Sequence, residues 1–95
     1  MIACKSIEYF MDVYRRYKGK DHPYLKKEQM NRVKETLLTY INDYNLELED
    51  MELIISAFFD YPPKYSDGNI NLFITKSVFI ICGYSAGLVL EYEDY

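Results

Sequence analysis

The chain has few of the residues on which metal and cofactor chemistry usually depends. It contains one histidine, His22, two cysteines, Cys4 and Cys82, and no tryptophan. A structural zinc site takes four ligands, drawn mostly from Cys and His, and these three residues cannot complete such a set. The sequence also has no Gly-rich phosphate loop and no GxSxG or HExxH pattern. We therefore expect no metal, no cofactor and no enzymatic activity.

Long apolar runs are missing as well. The longest, Val78 to Cys82, is far shorter than the roughly 20 residues that cross a bilayer. The N-terminal stretch MIACKSIEYF has neither the apolar core nor the small-residue cleavage site of a signal peptide. We expect a cytoplasmic protein without membrane contact and with reduced thiols. A Cys4–Cys82 disulfide stays open as an alternative only if the two ends of the chain meet.

Aromatic residues, by contrast, are abundant. They make up 17% of the chain, with eleven Tyr and five Phe, and 49% of all residues are hydrophobic. A chain of 95 residues with this composition should form one domain around a modest core. A tyrosine can bury its ring and keep its hydroxyl in water, so a tyrosine-rich small domain also has a usable contact surface.

The spacing of apolar residues predicts three helices. The first covers about residues 6–17, with Ser6 as N-cap and Gly19 as the C-terminal stop. The second covers about 25–44, and the third covers about 49–60 and ends before Pro62-Pro63. The stretch from 72 to 95 fits either a buried helix over 72–81 or a β-hairpin around residues 85–87, because short apolar runs rich in β-branched residues suit both.

Charge is distributed unevenly along the chain. Residues 1–34 hold nine Lys or Arg and four Asp or Glu, a net of +5, whereas residues 35–95 hold two and eleven, a net of −9. Because nucleic-acid affinity rests on neutralising phosphates, a chain of net charge −4 suits a protein partner with a basic surface better. For this protein-binding hypothesis we select acidic and tyrosine residues of the second half: Glu47, Glu49, Asp50, Glu52, Asp60, Tyr61, Tyr65, Asp67, Glu91, Tyr92, Glu93, Asp94 and Tyr95.

A second hypothesis uses the basic stretch RRYKGKDHPYLKK, residues 15–27. Here the chain would be a small nucleic-acid-binding regulator, with Tyr17 and Tyr24 stacking on bases. The phosphate contacts would come from Arg15, Arg16, Lys18, Lys20, Lys26 and Lys27. The simpler interpretation of this stretch is a helix C-terminus followed by a solvated helix start. A third hypothesis is a self-assembling structural protein, such as a homodimer through the apolar C-terminal segment.

Two local patterns invite a chemical interpretation, and neither is sufficient. His22 follows an aspartate that would orient its ring, but the sequence places no nucleophile beside it. Asp67, Asn69 and Asn71 alternate as at the start of a calcium-binding EF-hand loop, yet the glycine is misplaced and no Glu follows at the twelfth position. We interpret the first as a loop histidine and the second as a turn with side-chain-to-backbone hydrogen bonds.

Three stretches, HPYLKKEQ, LEDMELIISAFFD and DGNINLFITKSVFIICGY, carry a resemblance to a group of small, acidic, mostly uncharacterised proteins of Firmicute phages and mobile elements. The similarity covers about residues 22–81 and consists of an HPxL segment and a D-x-N-I-N stretch after an acidic helix. In this group a His-Phe-Ala sequence stands where this chain has Leu72-Phe73-Ile74, and a charged helix stands where residues 78–82 are apolar. The roles of those residues therefore do not carry over.

The resemblance implies an α-rich fold and a mobile-element origin, and small phage proteins of this kind often bind a host enzyme, CRISPR effectors included. We therefore expect a mainly α fold, a compact bundle of three to four helices in a single domain over 1–95, with the C-terminal hairpin as the alternative. We expect a non-enzymatic phage or mobile-element protein that binds and inhibits a host nucleic-acid-processing protein, for instance a CRISPR effector.

Overall fold

Five helices account for most of the chain. The computed structural model describes residues 1–60, 68–88 and 90, and contains no strand in this part of the chain. In chain order the helices are α1 (Ile2–Lys18), α2 (Lys27–Asp43), α3 (Leu48–Asp60), α4 (Ile70–Phe73) and α5 (Lys76–Ser85). The predicted helical bundle is thus confirmed. The prolines predicted to end α3, Pro62 and Pro63, lie outside the described residues.

The first helix begins earlier than predicted. It starts at Ile2, and Ser6 is fully buried inside it rather than capping it. The Ser6 hydroxyl donates a 2.7 Å hydrogen bond to the carbonyl of Ile2, as a serine inside a helix commonly does. The prediction of the C-terminus is confirmed. Gly19 has a φ of 71°, and its N–H donates to the Arg15 carbonyl at 2.9 Å.

The turn between α2 and α3 follows the sequence closely. Asn45, which follows the second helix, has a left-handed φ of 53°, as residues that end helices commonly do. The backbone N–H of Glu47 donates to Asp50 Oδ2 at 2.9 Å, so a side chain in the first turn of α3 satisfies a backbone group at its start. Five apolar side chains at helical spacing in α3 are buried: Met51, Ile54, Ile55, Phe58 and Phe59.

The core lies around α3, which packs against α1 on one side and α5 on another, while α2 packs against α1. Phenylalanines from four helices meet there. Phe10 and Phe58 lie 5.8 Å apart between ring centroids, Phe58 and Phe73 lie 5.2 Å apart, and Phe73 and Phe79 lie 5.6 Å apart. All four are fully buried, and tilted or edge-to-face rings at such distances attract one another.

The C-terminal part is helical, as we favoured, but it is divided in two. The predicted helix over 72–81 is interrupted at Ile74 and Thr75, where α4 ends and α5 begins. The stretch SVFIICGY, a strand in the hairpin alternative, lies in α5, so that alternative is wrong for it. Gly87 has a φ of 86° and ends the helix, with its N–H donating to the Tyr84 carbonyl and the Leu88 N–H donating to the Gly83 carbonyl.

Leu90 packs back onto α5. The Leu90 side chain is only 2% exposed and lies against Gly83, where an added Cβ would overlap it. The Tyr84 hydroxyl donates to the Leu90 carbonyl at 3.0 Å. Of the apolar run predicted as an assembly surface, Phe79, Ile80 and Cys82 are buried, and only Ile81 is largely exposed. The apolar segment therefore belongs mostly to the core.

Candidate functional site

An acidic surface with an apolar centre runs along α3. Three residues lie on the same side of the helix as Glu49, because they follow it by three, four and eleven positions: Glu52, Leu53 and Asp60. Glu49 and Asp60 are exposed, Glu52 is half-buried, and the Leu53 side chain is 51% exposed. We call these four residues the acidic face. Because α3 contains no Lys or Arg, the helix itself supplies no positive charge to neutralise these carboxylates.

The other two acidic residues predicted near this site take part in the start of the helix. Glu47 is exposed and precedes α3, and its N–H is bound by the carboxylate of Asp50. Acidic groups in the first turn, here Glu49 and Asp50, also suit the positive end of the helix dipole. Some of these acidic residues therefore stabilise α3 itself. In Asp50, one carboxylate oxygen is used for this purpose.

Two tyrosines of α1 line the edge of the acidic face. The Tyr17 hydroxyl donates a 2.9 Å hydrogen bond to Asp60 Oδ1, and its ring stacks on Phe59 at 5.6 Å between centroids. The Tyr9 hydroxyl lies 3.1 Å from Ser56 Oγ. The hydrogen bond to Asp60 and the nearby carboxylate charge raise the pKa of Tyr17. Tyr17 is thus bound to the acidic face through its hydroxyl, and its predicted role as a base-stacking residue stays a prediction.

Eight of the residues selected for the protein-binding hypothesis lie outside the described residues. They are Tyr61, Tyr65, Asp67, Glu91, Tyr92, Glu93, Asp94 and Tyr95. Their selection stays a prediction.

The basic stretch divides into two sets of cations. Arg15 and Arg16 both bind Asp12, at 2.9 and 3.3 Å, and Arg15 Nε also lies 4.0 Å from Asp21. The Arg15 hydrogen bond is the main reason that the pKa of Asp12 is lowered. The four lysines are exposed, and none of them has a carboxylate within ion-pair distance among the described residues: Lys18, Lys20, Lys26 and Lys27. The spacing of Asp12 from Arg15 and Arg16, three and four residues within one helix, is the signal that could have indicated this pairing from the sequence.

The helix connections argue against a helix-turn-helix reader of DNA. Residues 19–26 join α1 to α2, which is longer than the three- or four-residue turn of that motif. Residues 44–47 join α2 to α3 with a suitable length. The helix after that turn would then enter the major groove. Here that helix is α3, whose charged residues are all acidic, so phosphates would repel it.

An open depression of about 670 Å³ lies between α1, the 19–26 connection and α2. Its volume is in the usual range for small ligands. Its charged groups largely satisfy one another, however, since Asp12 is paired with Arg15. The lining residues are Ile7, Glu8, Tyr9, Met11, Asp12, Arg15, Asp21, His22 and Met30.

His22, at the inner side of this depression, uses both ring nitrogens for the backbone. Nε2 accepts a 3.0 Å hydrogen bond from the N–H of Ile70, and Nδ1 lies 2.8 Å from the Pro23 carbonyl. Because Nε2 accepts, Nδ1 carries the proton and donates it to that carbonyl. The ring also meets Tyr14 edge-on, at 4.7 Å between centroids. The histidine therefore ties the 19–26 connection to the start of α4.

This hydrogen bond joins two stretches that are far apart in the sequence. His22 belongs to HPYLKKEQ, and Ile70 belongs to DGNINLFITKSVFIICGY. Within the second stretch, Asn69 caps α4 by accepting a 3.1 Å hydrogen bond from the N–H of Leu72. This agrees with the predicted side-chain-to-backbone bonding for Asn69. Asp67 lies outside the described residues.

No group of three or more His, Cys, Asp or Glu side chains converges as a metal site among residues 1–60, 68–88 and 90. In the same part of the chain, no helix has the length and apolar character needed to cross a membrane. The chain matches no protein-family model, no curated protein and no solved structure.

Proposed function

We propose that this chain is a non-enzymatic protein that binds and inhibits a nucleic-acid-processing protein of a bacterial host. In this proposal the acidic face of α3 contacts a basic groove of the partner, and the tyrosines beside it add contact area. Carboxylates can take the place of phosphates in a groove built for nucleic acid, and aromatic rings can take the place of stacked bases.

The observation that supports the proposal is the composition of α3. The helix carries four carboxylates and no cation, and at the middle of its exposed face is Leu53, whose side chain is 51% exposed. Protein interfaces commonly combine an apolar centre with a polar rim. Charge of one sign around that centre favours a partner of opposite charge and speeds their encounter.

The origin of the chain is a separate part of the proposal. The phage or mobile-element assignment rests on the resemblance of residues 22–81. In its most specific form, the proposal names a CRISPR effector as the protein that is inhibited. The C-terminal residues Glu91 to Tyr95 are proposed as a second contact because they combine three acidic and two aromatic groups.

The test is affinity capture from bacterial lysate with the tagged full chain, treated with nuclease and compared with the variant Glu49→Lys/Glu52→Lys. A matched control is Glu28→Lys/Glu35→Lys, which makes the same charge change on exposed residues of α2 and also reverses one acid in a first helical turn. We expect the wild type and the control to capture the same protein, and the α3 variant to lose it. The purified partner should then lose activity when the wild-type chain is added.

Two results would contradict the proposal. Capture that disappears with nuclease would show that nucleic acid, not protein, holds the complex together. Equal loss of capture in the α2 and α3 variants would show that net charge, and not the acidic face, is responsible.

A further inference from the structure

Tyr24 protrudes from the connection between α1 and α2. Its side chain is 88% exposed. The residues around it are held in place, since His22 is bonded to the backbone of Ile70 and Leu25 packs against the core. Because the backbone on both sides of Tyr24 is already held, presenting this ring to a ligand requires little further ordering of the backbone.

Three lysines lie within four residues of Tyr24 in the sequence. Lys20, Lys26 and Lys27 are exposed, and within the described part of the chain no carboxylate lies within ion-pair distance of them. Lys26 and Lys27 stand at the start of α2, where the helix dipole is positive and cations are unfavourable without an anion. Among the described residues these cations thus have no counterpart of the ion pair that Asp12 makes with Arg15.

We propose that Lys20, Tyr24, Lys26 and Lys27 form a binding site for single-stranded nucleic acid. The ammonium groups and the positive end of α2 neutralise phosphates, and the Tyr24 ring stacks on one unpaired base. A single strand is favoured over a duplex because a protruding ring needs an unstacked base. The nearest acidic residues in sequence, Asp21 and Glu28, are exposed, and Asp21 lies 4.0 Å from Arg15.

This site shares no residue with the acidic face, and the inference goes beyond the proposed function. Stacking on one tyrosine does not distinguish bases strongly, so the affinity should depend little on the base sequence of the strand. Its salt dependence should be modest, because three cations neutralise at most a few phosphates.

The test is fluorescence anisotropy with a labelled oligothymidylate and a labelled oligouridylate of about 20 nucleotides, titrated with the full chain. For about three phosphate contacts, affinity should fall about 20-fold when salt rises from about 50 to 200 mM. Lys20→Gln/Lys26→Gln/Lys27→Gln should remove binding. Tyr24→Leu should weaken it about 5- to 150-fold, while Tyr24→Phe keeps it.

The matched control, Lys5→Gln/Arg32→Gln/Lys76→Gln, removes the same charge elsewhere and should bind almost as the wild type does. Circular dichroism of each variant establishes that it is folded. Three outcomes would overturn the proposal: no binding by the wild type at low salt, equal weakening in both triple variants, or tighter binding of a Glu-Tyr copolymer than of the oligonucleotides at the same lysines. The last would assign the site to an acidic protein partner.

Discussion

The ring of His22 accepts a hydrogen bond from the backbone N–H of Ile70, 48 positions further along the chain. This bond fixes the connection between α1 and α2 against the start of α4. On its inner side the ring meets Phe10 and Tyr14 edge-on. The only histidine of the chain is therefore part of the packing that holds the N-terminal and C-terminal halves together.

Replacing His22 by Phe should destabilise the fold while keeping the ring contacts. The N–H of Ile70 would lose its acceptor, and an unsatisfied buried donor costs about 1–3 kcal/mol. The measurement is urea unfolding of both proteins. The control is Tyr24→Phe, which changes an exposed side chain two residues after His22. It should leave the free energy of unfolding within about 0.5 kcal/mol of the wild-type value. A His22→Phe variant as stable as this control would show that the hydrogen bond contributes little.

Local patterns in the sequence predicted most of the helical fold. The stripes of α1, α2 and α3 repeat at helical spacing because each helix buries one side, so their existence follows from the order of apolar residues. The errors occur at boundaries. Ser6 resembles an N-cap in sequence, but with Ala3 also buried the apolar side of α1 continues past it toward Ile2. The break at Thr75 has no glycine or proline to indicate it.

The candidate site was only partly predictable. The acidic residues of α3 follow from the sequence, and their helical spacing places Glu49, Glu52 and Asp60 together. Contacts between distant positions do not follow from it. Tyr17 reaches Asp60 across 43 positions, a pairing that depends on how α1 and α3 cross and that no local pattern specifies. The pairs of Asp12 with Arg15 and Arg16, by contrast, lie three and four positions apart within α1, so their spacing was present in the sequence.

Gly83→Ala should destabilise the fold when residue 90 is leucine and stabilise it when residue 90 is alanine. In the wild type the added Cβ would overlap the buried Leu90 side chain, so the substitution should be destabilising. In a Leu90→Ala background that overlap is absent, and alanine inside a helix is favoured over glycine by about 0.5–1 kcal/mol. Thermal unfolding of the four proteins of this cycle measures the two effects. The same sign in both backgrounds would show that Leu90 does not pack on Gly83.

The two cysteines should react with thiol reagents at very different rates. Burial raises the pKa of the Cys82 thiol to about 11, so at neutral pH almost none of it is the reactive thiolate. Cys4 is only half-buried. We expect iodoacetamide to modify Cys4 in the native protein and Cys82 only after denaturation, as read by peptide mass spectrometry. Equal modification of both in the native protein would mean that α5 opens readily.

Asp60→Asn should lower the pKa of Tyr17 toward the ordinary tyrosine value. The carboxylate accepts the Tyr17 proton in a hydrogen bond and opposes formation of a second negative charge, and both effects raise the pKa in the wild type. A raised pKa in the folded state means that this contact stabilises the fold below the unfolded pKa of about 10, and that the contribution is lost as pH rises through the folded pKa.

Nuclear magnetic resonance of ring-labelled tyrosine, followed through alkaline pH, resolves Tyr17 from the other tyrosines. Glu49→Gln, on the same face but without a hydrogen bond to Tyr17, should leave its titration unchanged; if it shifts Tyr17 as much as Asp60→Asn does, the general charge of the acidic face, and not the bond to Asp60, controls this tyrosine.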